Sequence, residues 1–460
     1  MEENTETLQE SDLEAHEIID TINTWIESSN DEKLLEYLQD LHPADVAETM
    51  TALDKEDNAI YLFRLCEPLK QGQIIVELNE DILAELIESL NLKEISLLST
   101  DMESDDLTYL LSEIPQEKAE HILNSIDSEE SSKIRSQLQY EENTAGRLMS
   151  TEFVVVRENE SVRKGIYNLR KISKRDHKVY IMYVVNTQDV VTGYVSLKDL
   201  FFAKDKTKIH EIMNSEIKTV QYDMDQEEVA RFFQKYDYIS AAVVDENGVM
   251  LGRITVDDVL DIVEEEASED ILRMAGLSED EKFYTPIFET VKSRIPWLHI
   301  NLITAVLASS VVTFFESTID RAVVLASLMP IVAGMGGNAG TQAITIVVRN
   351  IAIGELSERQ WKQAISRELI IGLLNGVILG CVTAAFVFIF KQKLVLSLVI
   401  GSAMLINLIV AGLVGSGIPL LLKYLGIDPA IASSIFVTTF TDIFGFFCFL
   451  GLASLFVEYL

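Results

Sequence analysis

The chain has 460 residues, too many for one hydrophobic core, so two or three domains are expected. Its net charge of -36 argues against nucleic acid as a partner, and the charge is unevenly spread: from Trp297 onward acids and bases balance at eight each, so the whole excess lies before it. An acidic soluble half that gathers cations is joined to a neutral apolar half; an acidic face kept for solubility is the plainer reading of the same charge.

Cys66, Cys381 and Cys448 are too scattered for a zinc site or a disulfide framework. Met1-Glu2-Glu3-Asn4 is acidic and lacks an apolar core, so it reads as neither signal nor transit peptide, and the first half is expected to stay in the cytosol. Residues 1–143 read as short amphipathic helices: Leu34, Leu35, Leu38 and Leu41, then Ile74, Ile75, Leu78, Ile82 and Leu83, then Leu107, Leu110 and Leu111. Breaks at Leu41-His42-Pro43-Ala44-Asp45 and Ile114-Pro115 make this an all-α array of helical hairpins. His42 and His121 are isolated within it, as ordinary surface or packing histidines are.

From 144 to 265 short strands alternate with helices, and the segment repeats. Leu148-Met149-Ser150-Thr151-Glu152-Phe153 returns as Ile212-Met213-Asn214-Ser215-Glu216-Ile217, and Gly193-Tyr194-Val195-Ser196-Leu197-Lys198-Asp199 returns as Gly252-Arg253-Ile254-Thr255-Val256-Asp257-Asp258. Two α/β copies ending Gly-x-Val/Ile-Ser/Thr-x-x-Asp resemble a tandem CBS pair, over 144–207 and 208–265. Such pairs bind nucleotides or ions and report to an attached effector. The second copy continues into a run of acids. Helical periodicity from Val256 to Leu272 places Asp258, Asp261, Glu265 and Glu269 on one face. Like charges at that spacing destabilise a helix unless cations sit between them, and Mg²⁺ or Ca²⁺ would satisfy it through oxygen ligands. A solvated acidic linker is the alternative. Residues 266–295 are expected to be a long connecting helix.

A membrane domain, 296–460, is expected to hold five spans at about 297–315, 322–348, 369–390, 394–422 and 430–457. A cytosolic start and five crossings put Lys292, Arg294, Arg349, Arg359, Lys362, Arg367 and Lys423 inside and Arg321, Lys391 and Lys393 outside, with the C-terminus outside. Gly372, Gly376 and Gly380 form a small-residue stripe for close packing. The second span carries Asn338, Thr341 and Thr345 on one face. The fifth carries Ser434, Thr438 and Asp442 at steps of four, and Asp442 is the one acid read as well inside an apolar run. A charge there costs roughly 2.5 to 3.5 kcal/mol on insertion scales, so it needs water, a cation or a partner. Two polar faces meeting at a carboxylate suggest a cation path.

Together these pieces resemble the MgtE family of magnesium channels along essentially the whole length. The matching stretches are Leu41 to Asp45, Thr144-Ala145-Gly146-Arg147-Leu148-Met149, the CBS pair, the acidic helix, Pro330 to Gln342, Arg349 to Glu355, Asp428-Pro429-Ala430 and Thr438-Thr439-x-x-Asp442. Where relatives often have Gly-Pro or Asn-Pro, this chain has Ser434-Ile435. The resemblance implies a homodimer in the cell membrane with its pore on the two-fold axis, Asp442 of each subunit holding the ion and Gly337, Asn338, Thr341 and Thr345 lining the path. Mg²⁺ is then cargo and also regulator. Asp101, Asp105, Asp223, Asp225, Asp237, Asp258, Asp261, Glu265, Glu266, Glu269 and Asp270 are the expected positions for the regulatory ion, by resemblance and clustering. ATP at the CBS pair is a further ligand the resemblance admits. A divalent-cation carrier or exporter governed by the CBS pair, and a membrane-tethered nucleotide sensor, are the competing readings. An enzyme is not expected, for no nucleophile–base pair, phosphate loop or zinc motif is present.

Overall fold

The computed structural model describes residues 18–53, 55–98, 102–172, 179–278, 281, 285–431 and 434–460. They fall into two compact bodies that meet in sequence at Ile262 and Val263.

The first body begins with an array of short helices in which each packs on the helix two places along. Pro43–Thr51 packs on Pro68–Glu77, which packs on Leu92–Leu98, which packs on Gln116–Leu123. Helix starts are written locally: Pro43 and Pro68 occupy first turns, where the missing N–H costs nothing, and Asn79 and Asp127 accept backbone N–H groups as caps. Leu34, Leu38, Leu62, Phe63, Ile74, Leu86 and Leu107 form a continuous buried core. Leu35, on the far side of its helix, is exposed, so the apolar stripe is one residue narrower than the sequence pattern drew it. α1 (Ser104–Glu113) lies near the end of this array.

Two three-stranded sheets follow, β1 (Val155–Arg157), β2 (Ile181–Val185) and β3 (Val191–Ser196), then β4 (Val220–Gln221), β5 (Ser240–Val244) and β6 (Met250–Thr255). In each, a parallel pair is joined to an antiparallel pair, with a register shift at the same place, Val184/Val185 and Val243/Val244. The repeat in sequence is a repeat in structure. The copies are also crossed: Ser150, ahead of the first sheet, pairs with Arg253 of β6, and Asn214, ahead of the second, pairs with Tyr194 of β3. Both crossings need a glycine, since a Cβ at Gly193 would stand 2.5 Å from the Asn214 carbonyl oxygen and one at Gly252 2.7 Å from that of Ser150.

The Ser/Thr-x-x-Asp tail is a helix start. Ser196 accepts from the Asp199 N–H ahead of α2 (Leu197–Phe202). The Asp258 carboxylate accepts from the Thr255 N–H (3.0 Å) and hydroxyl (2.7 Å) ahead of α4 (Val256–Met274). Between them lies α3 (Gln226–Tyr236).

α4 runs through the boundary between the bodies and stops in a Schellman turn: Gly276 has φ +74, and the Leu277 N–H reaches the Leu272 carbonyl at 2.9 Å. The stretch 266–295 is therefore not one helix. Its first part ends α4, and its last part begins α5 (Ile287–Phe314), which continues through Pro296.

In the second body five helices are long and apolar enough to cross a membrane: α5, α6 (Val324–Ala352), α7 (Trp361–Lys391), α8 (Leu394–Tyr424) and α9 (Ser434–Leu455). α8 is the central one, packing on α6, α7 and α9. The predicted glycine stripe joins α7 to α8: a Cβ at Gly372 would lie 2.6 Å from the Leu408 oxygen, and one at Gly380 2.7 Å from the Gly401 oxygen. The fold is thus an all-α array, an α/β tandem pair, a long acidic helix and an all-α five-helix segment.

Candidate functional site

On α6 the side facing neighbouring helices is made of Gly336, Gly340, Ala343, Ile344, Val347 and Val348, all buried. Asn338, Thr341 and Thr345 are exposed on the other side, as the sequence pattern proposed. Thr345 satisfies its hydroxyl on the Thr341 carbonyl at 2.8 Å. α9 crosses α6 at two glycines: a Cβ on Gly337 would touch the Thr438 side chain at 3.6 to 3.7 Å, and one on Gly340 would strike Val437 at 2.2 Å. Thr438 therefore sits over Gly337, one helical turn before the half-buried Asp442.

α7 begins at Trp361, eight residues earlier than the apolar run suggested, which brings Glu368 inside a spanning helix. Glu368 is buried, with its backbone oxygen in the notch left by Gly412. Asp442 is thus not the sole acid within the five helices.

A second polar centre lies at the end of α4. Met274 packs with Ile344, Val348, Ala430 and Val437, and Gly276 faces Ile435. Arg273 reaches Asp428 at 2.6 Å and also pairs with Glu269. Asp270 is half-buried beside Asp428 and Glu266, and burial first, then those two charges, push its carboxyl up to about 6, with Arg273 opposing them. Glu265 is exposed.

The first body holds a third. Asp105 of α1 is pushed well above the ordinary carboxylate range by burial, then by Asp106, Asp258, Glu103 and Glu152. Its Oδ1 is buried without a hydrogen bond. Glu152 accepts from the Ser104 N–H (3.1 Å) and hydroxyl (2.8 Å) and from the Ser150 hydroxyl (2.9 Å). Buried Arg253 stands 3.6 Å from Glu103. Two expected residues, Asp105 and Asp258, are therefore brought together from distant parts of the chain. Others are not: Asp225 caps the start of α3 and Asp237 ends it in the left-handed region, about 18 Å apart at 1.5 Å per residue. Asp223 and Asp261 are exposed, and Asp101 lies outside the described residues. Among the described residues no group of three or more Asp, Glu, His or Cys side chains is placed to hold a metal ion as it stands.

The magnesium transporter MgtE of Enterococcus faecalis is 35% identical to this chain over 316 residues, 69% of this chain and 70% of that protein. The magnesium transporter MgtE of Thermus thermophilus is 36% identical over 316 residues, 68% and 70% of the two chains. The chain belongs to the MgtE family. The MgtE family profile described as a divalent cation transporter matches residues 329–452, the MgtE intracellular N domain matches 41–143, and the CBS domain matches 145–206 and 209–265. The cytosolic domain of the Mg²⁺ channel MgtE, crystallised with ATP, superposes with a TM-score of 0.50 at 30% identity, covering 53% of this chain and 99% of that one. This member of the family is a multi-pass membrane protein with an intracellular N-terminal domain, and its relatives are magnesium transporters.

Sequence reasoning missed Glu152 beside Asp105, because tertiary packing alone brings it there, and gave no role to Glu103 and Asp106, which flank Asp105 in the chain. It also missed Asn407 of α8, wholly buried, whose Nδ2 donates to the Val332 carbonyl of α6 at 2.9 Å and whose Oδ1 is buried without a partner. The signal was available as an amide in the run Leu405-Ile406-Asn407-Leu408.

Proposed function

We propose that this MgtE-family protein conducts Mg²⁺ across the cell membrane as a homodimer and that cytosolic Mg²⁺ closes it. One observation carries the reading: α6, apolar enough to span a bilayer, leaves Asn338, Thr341 and Thr345 uncovered while its apolar face is packed away. Lipid offers an amide no hydrogen bond, so that face needs water or a second copy. A two-fold axis along it places the same face of both subunits around one path, with Gly337 at its border under Thr438 and an Asp442 from each side. Mg²⁺ sheds water reluctantly, and two carboxylates with amides and hydroxyls contacting its waters suit a largely hydrated ion.

Regulation rests on the acidic centres. Burial and the Asp258 charge both raise the Asp105 carboxyl, and a divalent ion retaining several waters would relieve that repulsion without a full protein cage. Asp270 stands in the same relation to Asp428, with Glu266 beside it and Arg273 paired to both Glu269 and Asp428. With Mg²⁺ bound, both arrangements are held and the end of α4 stays on the inner ends of α6 and α9; without it, repulsion favours release. Asp223, Asp225, Asp237, Asp261 and Glu265 belong to this proposal as outlying positions. The domain limits 1–143, 144–207, 208–265, 266–295 and 296–460, the C-terminus outside, and ATP at the CBS pair are part of the same reading. The ATP-bound relative supports the last of these.

In proteoliposomes, Asp442→Asn is expected to abolish or sharply reduce Mg²⁺ flux with the dimer intact. Asp105→Asn with Asp258→Asn is expected to move the inhibitory Mg²⁺ midpoint. Wild-type flux in the first removes Asp442 from the path, and an unmoved midpoint in the second removes that pair from the sensor.

A further inference from the structure

Asn407 is the most deeply buried amide in the second body, and it stands between the two helices that carry the path. Its side chain fills a slot made by two glycines: a Cβ on Gly336 of α6 would lie 2.2 Å from Nδ2, and one on Gly445 of α9 would lie 2.8 Å from it. Thr441 closes the slot, its Cβ 3.1 Å from the Gly336 position. Turning the amide over would set its oxygen against the Val332 carbonyl, so the orientation is fixed by chemistry. Oδ1 then remains buried and unpartnered. A leucine would fill the same space with no polar atom to desolvate, so fold stability alone does not account for the amide.

We propose that Asn407 is a positioning residue for permeation: its amide sets the spacing and register of α6 against α9. The slot residues are the immediate neighbours of the path residues, Gly336 beside Gly337 and Thr441 beside Asp442. A change of a few tenths of an ångström at the slot therefore passes directly into the backbone that carries both. The Nδ2 bond supplies direction, because it ties α8 to one particular carbonyl of α6, whereas apolar contact alone would permit sliding. This inference rests on the reading that Gly337 and Asp442 line the path.

The test uses the full-length dimer in proteoliposomes with Asn407→Leu, and two readouts. In the first, half-saturating Mg²⁺ is expected to rise about three- to tenfold and discrimination of Mg²⁺ over Ca²⁺ to fall, the size of change one interhelical hydrogen bond supports. In the second, which involves no transport, disulfide formation between Gly337→Cys and Thr438→Cys is compared with and without Asn407→Leu, and the substitution is expected to slow it. Should Asn407→Leu give no folded dimer, Asn407→Ala with Gly336→Ala refills the slot without the donor and is measured the same way. Unchanged cross-linking together with unchanged half-saturation and discrimination would overturn the proposal. Wild-type flux in Asp442→Asn would instead remove the path reading, leaving the cross-linking rate to judge the role of Asn407.

Discussion

Replacing Asp270 by Asn is expected to remove a pH dependence from the docking of the α4 end on Asp428. Burial and the neighbouring acids push Asp270 from 3.8 up to about 6 in the docked arrangement. A raised carboxyl pKa means that the proton favours docking. Its contribution is complete below 3.8 and is lost as pH rises through about 6. A difference of about two pH units is roughly 3 kcal/mol, and about 2 kcal/mol once solvent screening of a half-buried side chain is allowed for. That is about a thirtyfold change in the docking equilibrium. A spin label on Ala275→Cys, an exposed position beside the Schellman turn, would report docking between pH 4.5 and 8 in a chelator. Mobility should rise with a midpoint near 6 in the parent and stay low in Asp270→Asn. Millimolar Mg²⁺, taking the proton's place on the same oxygens, should hold the docked arrangement and keep mobility low across the whole range. A midpoint near 6 that persists in Asp270→Asn would refute the assignment.

Cysteines placed singly at Asn338, Thr341 and Thr345 should react with polar thiol reagents and block flux, while those at Ile344 and Val348 should not; equal labelling of both sets would mean that α6 does not line a path. Gly193→Ala should break the Asn214–Tyr194 pairing at a cost of about 1–3 kcal/mol, read as a lowered calorimetric transition of the soluble half. An unchanged transition would show that the crossing relaxes around a methyl group.

What could be read from the sequence followed from short-range rules. Leu34 and Leu38 are buried because an amphipathic stripe has to be, and the Ser/Thr-x-x-Asp repeat was legible because helix starts are local chemistry. The uncovered face of α6 was likewise visible as Asn338, Thr341 and Thr345 at helical spacing. The helical periodicity from Val256 to Leu272 is the body of α4, whereas the connecting helix expected over 266–295 is interrupted at Gly276, whose positive φ stops α4. Asp105 meeting Glu152 and Asp258 was beyond reach, since 47 and 153 residues separate them and no local pattern encodes their approach. Asn407 escaped for a different reason: a lone amide in an apolar run belongs to no periodic pattern that would single it out.

The crossed pairing of the two sheets has a consequence for synthesis. Neither copy can finish from its own residues: the first waits for Asn214, and Ser150, made early, waits for Arg253. On a ribosome the leading segment must therefore idle for about a hundred residues, at 5–20 residues per second, before its partner strand emerges. The edge of the first copy closes once Asn214 emerges, and the second copy is completed later, when Arg253 meets the waiting Ser150 in a step of high contact order. A nascent chain halted between them is expected to hold the helical array formed and the first sheet incomplete, with β3 offering its unpaired edge to whatever lies near.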